Sequence, residues 1–220
     1  LKPIFSKTLA AFCFAVLLVT GIGASADANS FKTWVLSQKE AFRNQYVKGE
    51  PVEDGFEFTL LNERSWLQNA TIPFDLSAFP KISASLEVKR VQNAGVGVAL
   101  KNNKKGFVFE IYPDGKVILN YFEIFPNAKD EYYNLKYWEV WSGNTIVPNF
   151  PFSIKLEYQG LPPIIKGYID DKIIISTNLE KNPVCDPPRT ITACGIKISS
   201  IDGKIGGKAV FSYLDVEEKN

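Results

Sequence analysis

From Gly55 onward, apolar and polar residues change places at every second position along much of the chain. In "ISASLEVKRV", Ile82, Ala84, Leu86 and Val88 fall on one side. Ser83, Ser85, Glu87 and Lys89 fall on the other. A period of two puts alternate side chains on opposite faces of a strand. The same grammar recurs in "FEFTL", "GVGVAL", "GFVFEIY", "KVILNYFEI", "LKYWEVW", "FSIKLEYQG", "IIKGYI", "KIIIST", "CGIKIS" and "AVFSYLDVEE". Gly, Pro, Asn and Asp punctuate these runs at short intervals. Many short β-branched and aromatic runs with regular turns predict an all-β, two-sheet antiparallel sandwich over residues 55–220.

Two hairpins are written into the turns. Pro113-Asp114-Gly115 presets φ, offers a carboxylate to the nearby backbone and admits a positive φ. It joins a strand carrying Phe107, Phe109 and Ile111 on one face and Val108, Glu110 and Tyr112 on the other. Asp114 is therefore expected to serve the turn. Asp170-Asp171 stands at the tip of "IIKGYIDDKIIIS". Adjacent carboxylates suit a hard cation, so calcium is the one cofactor considered; hydrated turn residues are the commoner outcome.

The N-terminal part is patterned differently. Lys2 and Lys7 precede an uncharged apolar run from Leu9 to Val19, and Ala24-Ser25-Ala26 supplies small residues for a cleavage site. This predicts a signal peptide over residues 1–26. The run is shorter than the ~20 residues that span a bilayer, so no membrane span is expected in the mature chain. Residues 27–50 follow. Phe31, Trp34, Val35, Phe42 and Tyr46 recur at helical steps after Asn29 or Ser30, with Gly49 and Pro51 beyond. One N-terminal amphipathic helix is predicted there.

Composition then narrows the chemistry. The 220 residues contain no histidine, which removes imidazole bases, Ser-His-Asp and Cys-His triads and His-ligated metals. The net charge of +1 favours neither nucleic acid nor an anionic membrane. Of three cysteines, Cys13 lies in the apolar run, leaving Cys185 and Cys194. In an oxidising compartment these are expected to form a disulfide stabilising by about 2–3 kcal/mol. Two thiolates without histidine make no zinc site.

The stretches "AGVGVALKNNKKGFVFEIYPDGKVILNYFEI", "FPFSIKLEYQGLPPIIKGYIDDKIIIST" and "CGIKISS" with "GKAVFSYLDVEE" resemble concanavalin A-like jelly-roll domains of the laminin-G-like group. The resemblance runs from Phe56 to Glu218. Asp170-Asp171 replaces the more usual Asp-Gly turn, and the loop at Cys185-Asp186-Pro187-Pro188 is an elaboration. Such domains are similar in fold to lectins, carbohydrate-binding modules and some glycoside hydrolases, and the fold alone does not choose among them. The hydrolases of this architecture carry E-x-D-x-E or a one-residue-longer form on one strand. This chain has no such run; Glu123, Glu139 and Glu157 stand on separate strands.

The candidate site is the aromatic stretch "EYYNLKYWEVWSGN". Flat rings suit the apolar faces of sugars, and neighbouring amides and carboxylates orient hydroxyls. Tyr137, Glu139 and Trp141 are expected on one strand face, Trp138 and Val140 on the other, with Asn144 at the end. The expectation is an exported, secreted or periplasmic, monomeric carbohydrate-binding module. It uses Tyr137, Trp138, Glu139, Trp141 and Asn144 on a polysaccharide or glycan, with no catalytic residue. The alternatives are a glycoside-active hydrolase with two convergent carboxylates, and an adhesion protein whose N-terminal helix docks on a partner.

Overall fold

A computed structural model describes residues 30–36, 39–62, 66–73, 81–125 and 134–219. Among them run fifteen strands: β1 (Ser30–Val35), β2 (Phe42–Arg43), β3 (Val47–Val52), β4 (Gly55–Leu60), β5 (Trp66–Pro73), β6 (Lys81–Gln92), β7 (Ala94–Lys101), β8 (Lys105–Ile111), β9 (Lys116–Phe125), β10 (Asn134–Asn144), β11 (Phe152–Gly160), β12 (Pro163–Ile169), β13 (Lys172–Asn178), β14 (Ala193–Ser200) and β15 (Lys208–Lys219). A nine-stranded sheet has the order β13-β12-β11-β6-β15-β4-β3-β2, with β1 also paired to β15. A six-stranded sheet has the order β10-β9-β8-β7-β14-β5. All pairings are antiparallel. The architecture is the expected two-sheet sandwich.

The alternation explains the core. Ile82, Ala84, Leu86 and Val88 of β6 are buried, as are Phe107, Phe109 and Ile111 of β8 and Phe56 and Phe58 of β4. They form one continuous apolar cluster between the sheets. The rings of Phe56, Phe58 and Phe211 pack edge-on at 5.1–5.6 Å between centroids, the preferred arrangement for aromatic quadrupoles.

Both hairpin turns take the expected form. Gly115 has φ +85, Asp114 Oδ1 accepts from the Lys116 amide at 3.0 Å, and the Gly115 amide donates to Tyr112 O. Ile169 faces Lys172 with only Asp170 and Asp171 between them. Those two residues have φ of +46 and +60, the left-handed pair that a two-residue hairpin loop requires and aspartate tolerates.

The N-terminal helix is corrected. Ser30–Val35 pairs with Tyr213–Glu218, and Val47–Val52 pairs with Gly55–Leu60. Asn44 Oδ1 accepts from the Tyr46 and Val47 amides at 2.8 and 2.9 Å, so it makes a turn where a helix would continue. The aromatic and β-branched residues that mimic a helical stripe are also good strand formers. The unpaired flanks of β15 and β4 supply their hydrogen-bond partners, and such tertiary pairing overrides weak helix propensity. The signal peptide lies outside the described residues. Among those residues, no helix is long and apolar enough to cross a membrane.

Candidate functional site

The predicted site residues all lie on β10, the edge strand beside β9. The register shifts between Glu139 and Trp141, so Val140 is an extra residue in the ladder. A bulge of one residue reverses the parity of everything after it. Trp138, Val140 and Trp141 consequently all pack against the main core. The expected face of Tyr137, Glu139 and Trp141 is not formed. Trp138 lies 5.6 Å from the Tyr121 ring, with Lys136 Nζ 4.9 Å above it. Trp141 is half-buried and folds along its own strand: a Cβ on Gly143 would come within 2.6 Å of the indole. Glu139 is exposed and accepts from Ser142 Oγ at 2.6 Å.

Tyr137 goes to the opposite face. There it packs 5.8 Å from Phe122, in a small second cluster with Ala99, Val108, Ile124 and Leu135. Lys197 Nζ sits 4.1 Å above the Tyr137 ring. β14 and β10 are four strand spacings apart, about 19 Å in a flat sheet. Two side chains close that distance only because the sheet curls, so this face is concave.

The floor of the concavity holds an ion pair. Lys197, Gly97 and Glu110 form one row across β14, β7 and β8. Lys197 Nζ is 3.5 Å from Glu110 Oε2, and the two residues are 3% and 1% exposed. Ser199 Oγ and Tyr112 OH donate to Glu110 Oε1, and Asn120 Nδ2 donates to Oε2 at 3.4 Å. Burial alone would lower the Lys197 pKa, but the Glu110 charge and the Tyr137 hydroxyl outweigh it and hold the ammonium above the ordinary lysine value. Burial, then Glu110, pushes the Tyr112 hydroxyl up to about 12. Every member of this cluster has a partner, so it works as a satisfied internal clamp. Glu110 and Tyr112 are visible in the sequence on one strand face, but nothing local pairs them with Lys197 and Ser199. The available signal was the polar alternation Lys197-Ser199 inside an otherwise apolar strand.

The other glutamates do not converge. Glu157 lies in the nine-stranded sheet with Lys81 at 3.1 Å, Lys166 at 3.5 Å and the Tyr168 hydroxyl at 3.3 Å. Glu123 accepts from Tyr121 OH at 2.8 Å.

An open cleft of about 590 Å³ lies where the edges of the two sheets approach. Its lining is Asn144 and Thr145 after β10, Ile146 and Pro148, then Ile169, Asp170, Lys172 and Ile174 from the β12–β13 hairpin. Isoleucines and proline make an apolar floor, and Asn144, Thr145, Asp170 and Lys172 supply polar groups. Asp170 Oδ1 accepts the Ser153 amide at 2.8 Å, so the cleft's one carboxylate is tied to the backbone. A second, apolar cavity of about 230 Å³ is lined by Val96, Ile111, Tyr112, Val147 and Phe150, among others. Among the described residues, no group of three or more acidic or cysteine side chains is arranged to hold a metal.

The expected Cys185–Cys194 bridge is not formed; both are free thiols. Cys194 points into the main core and Cys185 packs on its margin. Burial pushes the thiols up to about 12 and about 11 respectively.

No family model matches the chain, and no curated protein matches it. Solved structures do. The Crh5 transglycosylase in complex with NAG is 13% identical over 87% of this chain and 85% of its own, with a TM-score of 0.52. Its apo form gives 11% identity, the same coverage and a TM-score of 0.50. Sheep galectin-11 in complex with glycerol is 16% identical over 70% of this chain and 97% of its own, with a TM-score of 0.41. At this identity the likeness to the two Crh5 structures establishes the fold alone, a concanavalin A-like jelly-roll sandwich.

Proposed function

We propose that the protein is an exported carbohydrate-binding module that grips a glycan at the cleft between the sheet edges, with Asn144 in the lining and the partly buried Trp141 before it on the same strand. The observation that carries this reading is the composition of that cleft. An apolar floor set against a few convergent hydrogen-bonding groups matches the amphipathic faces of a sugar. Of the five residues expected from the sequence, Asn144 lines this opening, Trp141 is partly buried three residues before it on β10, and Glu139 is exposed on the same strand. Tyr137 and Trp138 are committed to packing and shape the strand from behind.

The fold shared with the Crh5 transglycosylase admits a glycoside-active reading, but the cleft lining offers no second carboxylate opposite Asp170. Glycoside hydrolysis uses two carboxyl groups about 5–9 Å apart. The adhesion reading loses its helix.

A glycan array on the folded protein tests the proposal. Binding to one or more glycans that weakens at least tenfold in Asn144→Ala is the expected result. Binding unaffected by cleft substitutions, or sugar release without retained binding, rejects it.

A further inference from the structure

Asp215 is out of keeping with its surroundings. It lies on the outer face of the nine-stranded sheet, between Thr33 of β1 and Ser85 of β6 in one cross-strand row. The Thr33 hydroxyl bonds to its carboxylate, yet Oδ1 is buried with no donor. Among the described residues it is the one buried side-chain oxygen or nitrogen left unsatisfied. An unpartnered buried carboxylate oxygen is costly when ionised and much less so when protonated.

Among the described residues, its neighbours give it no cation. From β6, Glu87 faces it with a like charge; Lys89 is spent on Glu87 at 2.7 Å, and Ser212 Oγ of β15 also donates to Glu87. Tyr213 of β15 is surrounded by Glu87, Asp215 and Asp171. Lys155 of β11 stands beyond Ser85 in the same row, but its Nζ turns the other way, 5.2 Å from the Tyr168 ring. Glu217, next but one along β15, adds a further acid to that strand.

The element that meets Asp215 from the far side is β1, and β1 hydrogen-bonds to β15 alone among the described strands. We infer that Asp215 makes the docking of the N-terminal strand pH-dependent, with β1 held when the carboxyl is protonated and loosened when it is charged. The direction follows from linkage. Burial, followed by Glu87, raises the Asp215 pKa above its ordinary value. A group whose folded pKa is raised gives its full stabilisation below the unfolded value, about pH 3.9. It loses that stabilisation as pH rises through the folded value. Edge strands with one neighbour open locally long before the core does, so the effect falls on β1.

Hydrogen exchange on the full chain tests this. Amides of Ser30–Val35 are followed from about pH 3.5 to about pH 8 and corrected for intrinsic exchange. The interior amides of β7 serve as the reference. The expected result is a several-fold loss of β1 protection with rising pH while β7 stays constant, and a flat, well-protected β1 in Asp215→Asn. Thr33→Val, which removes the one donor, should deepen the loss. Three outcomes overturn the inference: β1 protection independent of pH, an unchanged pH profile in Asp215→Asn, or no β1 protection at any pH.

Discussion

Lys197 and Glu110 belong to strands that do not touch, yet their charged ends meet at 3.5 Å above the intervening Gly97. This one relationship answers what Glu110 is for. It is the acceptor that holds β14, β8 and, through the Tyr137 ring over Lys197, β10 to one curvature. The concave face is consequently filled by the chain's own polar side chains. This is why the proposed glycan site is the open cleft at the sheet edges and not the concavity.

Breaking the clamp on one side should cost more than removing it. Lys197→Met leaves Glu110 charged and buried, and a buried ion pair deprived of one partner loses about 3–5 kcal/mol. Glu110→Leu strands the ammonium and should cost a similar amount. The Lys197→Met, Glu110→Leu double variant removes both charges and should recover much of the loss, leaving the Ser199 and Tyr112 hydroxyls to find other acceptors. Urea midpoints of the two singles and the double decide it. Strictly additive losses would mean the two charges do not act as a pair.

Gly97 is the condition for that meeting. A Cβ there would stand 2.5 Å from Phe109 O and 2.7 Å from Glu110 Cγ. The first contact is backbone of the paired strand and cannot swing aside. Gly97→Ala should therefore destabilise by about 1–3 kcal/mol, the usual range for overpacking. If a thermal melt of Gly97→Ala overlays that of the parent, β7 and β8 are not packed as described.

The sandwich was legible because strand alternation is local: Ile82 to Val88 can be sorted into faces without knowing what they touch. The turns were legible for the same reason, since Asp114 and Gly115 act within four residues. What misled was also local. Phe31, Trp34 and Val35 keep helical spacing, but their partners sit near residue 215, and no periodicity reports a pairing across that separation. The bulge at Val140 carries no composition signal and inverts the placement of Trp141. Lys197 and Glu110 are 87 positions apart in sequence. Their conjunction needs the register of two strand pairs before it can be seen.

The cysteines give a chemical test of the core. A bridge across their short loop would contribute about 2–3 kcal/mol, several degrees in melting temperature. With both thiols free, adding reductant should leave the melt unchanged. Their raised pKa values, about 12 and about 11, also leave little thiolate at pH 8. Alkylation of the native protein at that pH should be slow at Cys185 and slower at the more deeply buried Cys194. Both should react promptly in denaturant without reductant. Mass spectrometry of the alkylated chain reads all three states, and a species resistant until reduced would show a bridge.

Trp141 and Asn144 separate packing from recognition on one strand. Trp141 mainly packs: its indole covers the Gly143 backbone and touches the core, and its partly exposed remainder lies three residues before Asn144 on β10. Trp141→Ala should lower stability by about 1–3 kcal/mol, below the range for a fully buried tryptophan because the ring is only half-buried. It should also weaken glycan binding. Asn144 is exposed and its side chain belongs to the cleft, so Asn144→Ala should leave the melt within about 0.5 kcal/mol of the parent. Its binding should still fall at least tenfold, the cost of about 1.4 kcal/mol expected when hydrogen bonds to a ligand are lost. Trp141→Phe keeps a ring over Gly143 and should recover stability before it recovers affinity, since the smaller ring presents less area to a sugar. Calorimetric titration of the three variants with a glycan retained on the array checks each arm. Equal affinity in parent and Asn144→Ala would place recognition elsewhere on the molecule.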